Sequence, residues 1–173
     1  MVRDVIGTIA RIGLAGIWLV SGVLKALEPE QTYLAVAAYD VLPTGLVDPV
    51  ATALPFLEIA LGVLLLVGFG TRAVAVTSAA VLLVFIAGVV QAWARGLSID
   101  CGCFGGGGEV APGETRYPQE LARDLGFLLL AAWLVVRPRT LFAVQPVPAS
   151  SGRSAAEGAE PPAGPVVAED GIR

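Results

Sequence analysis

Apolar positions along this chain gather into four long runs, and its polar residues gather between them. Ala73 to Ala94 carries no charge, and Val50 to Gly70 carries one, Glu58. Each reaches the roughly 20 residues that a helix needs to cross a bilayer. Pro55 in the second run is tolerable, since neighbouring helices re-satisfy the backbone groups it frees. The first run is less clean. Ile12 to Leu24 is uncharged but too short for about 30 Å of hydrocarbon. Extending it to Val5–Leu27 repairs the length and brings in Arg11 and Lys25. Their long side chains are expected to snorkel toward opposite interfaces. A cleaved signal peptide is the competing reading, weakened by Lys25 at the expected boundary and by the lack of a small-residue cleavage site. The last run, Leu125 to Val136, lengthens to Pro118 only by taking in Glu120, Arg123 and Asp124. Pro118 suits a first helical turn, where its missing N–H is harmless.

The pattern predicts an all-α integral membrane protein, a four-transmembrane-helix bundle with a disordered C-terminal tail. The membrane domain covers residues 5–140, with spans at 5–27, 50–70, 73–94 and 118–136, and the tail covers 144–173. The tail is rich in Pro, Ala, Gly, Ser and Glu and holds almost no large apolar side chains, so it cannot bury a core. Four crossings put both termini on one side. Arg3, Arg11, Arg72, Arg137 and Arg139 flank the spans there, against Lys25, Arg95, Arg116 and Arg123 opposite. This narrow excess favours cytoplasmic termini in the cell membrane and extracytoplasmic loops at 28–49 and 95–117. Within the first loop, Tyr33 to Val36 is apolar enough to lie in the interface.

Composition agrees with a membrane setting: 55% of residues are hydrophobic and 15% charged, against about 25% charged in a soluble domain. The lipid bilayer is therefore the first expected partner, and oligomeric state is not legible. No basic patch exists for nucleic acid. Histidine is absent, which removes the commonest general base and metal ligand. No metal is expected, since two cysteines complete a zinc site only if carboxylates or a partner chain fill in.

The two cysteines, Cys101 and Cys103, lie one residue apart in the second loop, with glycines from Gly105 to Gly108. Bridging them requires Cβ atoms about 3.5–4.5 Å apart, hence a tight turn, for which Gly102 supplies the freedom. The small ring would be strained, and strained disulfides are oxidising and labile. Redox exchange, a static loop staple, inert thiols and a shared metal site all stand as readings. Asp100 and Glu109 would raise the thiol pKa, and Arg95 and Arg116 would oppose them. The glycine run is no phosphate loop, because no Gly-Lys-Ser/Thr follows.

A carboxylate inside a span is costly and by default a functional candidate. Glu58 reads either as half of a salt bridge locking two helices or, with Lys25, as a contact in a quinone or proton pathway. Arg123 and Asp124 are expected to pair with Lys25 or Arg95. Trp93 reads as an interface anchor, and Trp18 and Trp133 read as packing residues.

Arg11-Ile12-Gly13-Leu14 through Ser21-Gly22-Val23-Leu24-Lys25 resembles the first helix of the DoxX-like membrane proteins, and Leu54-Pro55-Phe56-Leu57-Glu58-Ile59-Ala60-Leu61-Gly62 resembles their second. Ile99-Asp100-Cys101-Gly102-Cys103-Phe104-Gly105, followed by Arg123-Asp124-Leu125, is similar to the branch that includes the methylamine-utilisation protein MauE. The resemblance implies a four-helix membrane protein serving redox processes outside the membrane. Cys101 and Cys103 are then the candidate catalytic pair, exchanging electrons with a thioredoxin-fold or client redox protein. A quinone held between helices near Glu58 and Lys25 is the cofactor this reading admits. The alternative is a non-catalytic scaffold or maturation subunit with structural cysteines.

Overall fold

The computed structural model describes residues 2–138 and 140. The tail expected over 144–173 lies outside the described residues. Five helices follow one another: α1 (Val2–Leu27), α2 (Pro29–Ala38), α3 (Thr44–Val67), α4 (Thr71–Ala94) and α5 (Tyr117–Val136). Between α4 and α5 the chain forms two short strands, β1 (Ile99–Asp100) and β2 (Gly108–Glu109). They pair antiparallel, Ile99 with Glu109 and Asp100 with Gly108. The protein is an all-α membrane protein that carries a small hairpin on one loop.

Among the described residues, three helices are long and apolar enough to cross a membrane: Arg3–Leu27, Thr44–Val67 and Thr71–Ala94. At 1.5 Å per residue each spans more than the roughly 30 Å of a hydrocarbon core. Their outward faces are largely apolar, Ile9, Phe56 and Val84 being about two-thirds exposed at 66%, 65% and 69%. In water such a surface would aggregate, whereas lipid covers it at no cost. α5 packs into the same bundle and carries Glu120, Arg123 and Asp124 in its first two turns.

Helix contacts fall into two principal pairs, α1 with α3 and α4 with α5. The first pair is close because a glycine on each helix lies against the other helix. A Cβ on Gly22 would lie 2.8–2.9 Å from Ile59 and the Pro55 carbonyl, and one on Gly62 would lie 2.7–3.0 Å from Leu19. Glycine at these positions lets the two backbones approach. The shared core is Leu14, Ala15, Trp18, Leu61, Leu65, Ala75, Leu82, Ala131 and Leu134. Trp18 is packed there, and its indole N–H donates to Ser78 Oγ at 3.1 Å. Trp93 is half exposed and stacks on Tyr117 with centroids 6.1 Å apart.

Tyr33–Val36 falls within the short helix α2, which buries Thr32 and Ala35 against the bundle. Pro29 opens it, where a missing N–H costs nothing. Lys25 departs from its snorkelling expectation: it is 7% exposed and turned into the bundle. Arg11 is likewise buried. An available carboxylate inside the bundle outweighs a longer reach to water for Lys25.

The cysteine loop and its two flanking cavities

Ser21 and Lys25 are one turn apart on α1 and so share a face. Glu58 on α3 meets them there. Lys25 Nζ lies 2.9 and 3.0 Å from the two Glu58 oxygens, and Glu58 is fully enclosed. Nζ also donates to Ser21 Oγ at 2.6 Å and to the Cys103 carbonyl at 3.3 Å. Ser21 Oγ in turn is 2.9 Å from Glu58 Oε2 and 2.6 Å from the Cys103 carbonyl, so its single proton bonds one of the two. Glu58 and Lys25 therefore form the interhelical salt bridge, one of the two readings open from sequence. The unforeseen part is that the cluster also holds the backbone of the cysteine loop.

The loop itself dips into the mouth of the bundle. Gly102 adopts φ +68 and Gly107 φ +97, values that only glycine tolerates cheaply. A Cβ at Gly107 would sit 2.7 Å from Ala35 Cβ and from Gly102 Cα. The turn expected between the cysteines is thus present, pressed against α2. Gln31 on α2 donates to the Gly107 carbonyl, and the Tyr39 hydroxyl donates to the Cys101 carbonyl at 3.4 Å.

Both cysteines are free thiols, and they share a hydrogen bond in which Cys103 donates to the Cys101 sulfur. Arg123 on α5 donates to the same sulfur from Nη2 at 3.3 Å. The Cys101 thiol is pushed down to about 6, first by the Cys103 hydrogen bond and then, against burial, by Arg123. Cys103 moves the other way, since its proton is held by the Cys101 thiolate and burial disfavours a second charge. At neutral pH the pair therefore holds one proton between two sulfurs, with the thiolate on Cys101. The Tyr39 phenol is held protonated by burial and by the neighbouring thiolate.

Arg123 also bonds Asp124 through Nε at 3.1 Å and stacks over Phe104 at 5.0 Å. The pairing of Arg123 and Asp124 with Lys25 or Arg95 does not occur. Lys25 is taken by Glu58, and Arg95 reaches Asp40 at 2.7 Å. Nor do Arg95 and Arg116 supply the charge at the thiols. That charge comes from Arg123, whose proximity depends on which face of α5 turns inward.

Asp100, Cys101 and Glu120 bring one donor atom each within 4.8 Å of one another. Glu120 Oε1 accepts weakly from the Cys101 N–H at 3.4 Å, and its buried Oε2 has no hydrogen-bond partner. A divalent cation there would have to share the Cys101 sulfur with the Arg123 guanidinium, which charge repulsion opposes.

Two cavities flank the loop, and both sulfurs border each. One, of about 330 Å³, is polar and lined by Asp100, Arg116, Gln119, Glu120 and Arg123. The other, of about 410 Å³, lies between α2, α3 and α4 and is lined mainly by aliphatic side chains. Lys25 reaches this second cavity; Glu58 does not.

The family model for methylamine utilisation protein MauE matches residues 3–137. The chain belongs to the MauE family. Among MauE proteins, the methylamine utilization protein MauE of Paracoccus denitrificans is 33% identical over 150 residues, covering 86% of this chain and 74% of that protein. No solved structure matches the chain. The MauE match runs through all five helices and includes Ser21, Lys25, Glu58, both cysteines and Arg123.

Proposed function

We propose that this MauE-family membrane protein carries out thiol–disulfide exchange with a thioredoxin-fold or client protein, using Cys101 and Cys103. The observation that carries the reading is the thiolate of Cys101, held by Cys103 and Arg123 at the edge of a polar cavity. Reactive cysteines are low-pKa thiols next to a cation, and Cys101, though only 8% exposed, has both the cation and the cavity beside it.

With the pair oxidised, a client thiolate attacks Cys101 Sγ. The bond between Cys101 and Cys103 breaks, and Cys103 leaves and takes up a proton. The client's second thiolate then attacks its own sulfur in the mixed disulfide, and Cys101 leaves as the thiolate. The client loses two electrons and the pair gains them. A low pKa at the departing sulfur favours this second step.

The residues speak to sulfur chemistry. The family supports a place in methylamine utilisation, which is what the Paracoccus relative is named for. In this reading α5 is the fourth crossing of the cell membrane, the termini are cytoplasmic and the cysteine loop is extracytoplasmic.

Trapping tests the proposal. A Cys103→Ser variant should accumulate a mixed disulfide between Cys101 and a soluble thiol protein, and Cys101→Ser should not. An impermeant maleimide should label reduced Cys101 in intact cells. No trapped species in either variant, or no labelling after reduction, refutes the reading and leaves a scaffold role.

A further inference from the structure

We infer that the cavity between α2, α3 and α4 binds a lipid-soluble quinone, which reoxidises the Cys101–Cys103 pair from the membrane side. This rests on the thiol–disulfide reading and names the second substrate of that site.

Three observations lead to it. First, the wall is mainly apolar, with Leu54, Leu57, Val81, Val84 and Phe85 among its side chains. Val84 is 69% exposed at its rim, so the opening faces outward from the helices, where lipid lies. Its volume of about 410 Å³ is within the roughly 300–1,000 Å³ typical of small-molecule sites, enough for one substituted ring. Second, both sulfurs border the inner end. An occupant would touch the thiols without passing through the polar cavity used by a protein client. Third, Lys25 and Tyr39 also line it, but both are committed to Glu58 and to the loop backbone, so the sulfurs are the reactive groups it presents to an occupant. A lipid acyl chain would fill the aliphatic part but has no group that takes electrons from the sulfurs.

The chemistry selects among apolar occupants. Each client turnover leaves the pair as the Cys101 thiolate and the Cys103 thiol, which must lose two electrons and one proton. A quinone accepts the electrons, that proton and the second proton released by the client, and becomes the quinol, while the S–S bond forms between Cys101 and Cys103. In sum, a client dithiol and a quinone give a client disulfide and a quinol. The loop thus acts as a partition between an aqueous and a lipid-facing substrate.

The test uses the full chain in lipid nanodiscs, reduced and kept anaerobic, with decyl-ubiquinone as the probe. One quinol per protein should form, with loss of both free thiols. Ala80→Trp or Val84→Trp, each filling the cavity from α4, should slow quinol formation by about tenfold or more. Exchange with glutathione disulfide, entering from the polar side, is the internal reference and should keep its rate. Normal glutathione exchange without quinone reduction overturns the cavity assignment and leaves the exchange function intact. Equal quinone reduction in wild type and both variants also overturns it. Failure of both reactions in the wild-type chain sinks the exchange reading itself.

Discussion

Lys25 and Arg123 both reach the cysteine loop, yet their surroundings differ in kind. Lys25 is enclosed, and its charge is met by Glu58, Ser21 and a carbonyl. It addresses the loop's backbone. Arg123 is about a third exposed, at 31%, and one of its contacts is a thiol sulfur that gains or loses charge with redox state. It addresses the loop's chemistry. A saturated ion pair inside a membrane fixes a position, whereas a partly solvated cation beside a titratable sulfur tunes a reaction. The comparison separates where the loop sits from what its sulfurs do, and variants on each side should separate likewise.

Glu58→Ala tests the positional half and should have the largest effect. It strands Lys25 in the bundle, and removing one partner of a buried pair costs about 3–5 kcal/mol. Thermal unfolding in detergent should show a large fall in stability, and the Cys103 backbone should loosen, seen as faster amide exchange. The double variant Lys25→Met, Glu58→Leu should recover most of the stability, since a matched apolar pair leaves no stranded charge. Failure of that recovery would mean the cluster does more than hold helices.

The chemical half is tested at the sulfurs. Alkylation of Cys101 by iodoacetamide should follow a midpoint near pH 6 in the wild-type chain. Cys103→Ala removes the hydrogen bond that contributes most, so the midpoint should climb toward the ordinary thiol value of about 8.5. Arg123→Gln should raise it by a smaller amount, and neither variant should resemble Glu58→Ala in thermal unfolding. The sign is fixed by the charge involved: each variant removes a group that stabilises the thiolate, so a higher pH is needed to form it. If Arg123→Gln leaves the midpoint in place, the guanidinium is a structural partner of Asp124 and the contrast with Lys25 collapses.

Which of these groups could be read without coordinates follows from how far apart in the chain they act. α3 and α4 were legible from long apolar runs, α1 and α5 from shorter runs extended over charged residues, and the Gly102 turn because two sulfurs one residue apart leave no other route to contact. Lys25 with Glu58 was half legible. Both are charges inside spans, so a pairing was open, but that Lys25 would turn inward instead of snorkelling depends on the close approach at Gly22 and Gly62. Arg123 with Cys101 was not legible, because its reach to the sulfur depends on the rotation of α5 about its axis. The apolar cavity was hidden for a related reason: several elements distant in the chain line it, and sequence does not show the gap between them. Strands β1 and β2, two residues each, are too short to leave any periodic signal.

Gly107→Ala probes the segment between the two cations. Its backbone has φ +97, and the new Cβ would meet Ala35 and Gly102 at 2.7 Å. A left-handed non-glycine residue costs about 1–3 kcal/mol before any clash. The loop should shift off α2, with Cys103 alkylating faster while the helices unfold at nearly the wild-type temperature. Both thiols keeping their wild-type reactivity would show that the contact with Ala35 yields without moving the loop.

Asp40 and Arg95 form a third ion pair at the same end of the bundle, and it serves as the control. The nitrogen–oxygen distance is 2.7 Å, shorter than either distance between Lys25 and Glu58, yet the side chains are 76% and 42% exposed. Solvent screens such a pair, so Asp40→Asn should cost only about 0–1 kcal/mol. Arg95 keeps its bonds to the Tyr39 and Asp40 carbonyls in that variant, which holds the end of α2 in place. Thermal unfolding and the Cys101 alkylation profile should both stay close to wild type. A large effect on either would mean that bond length, and not enclosure, ranks the ion pairs here, and the distinction drawn between Lys25 and Arg123 would lose its physical basis.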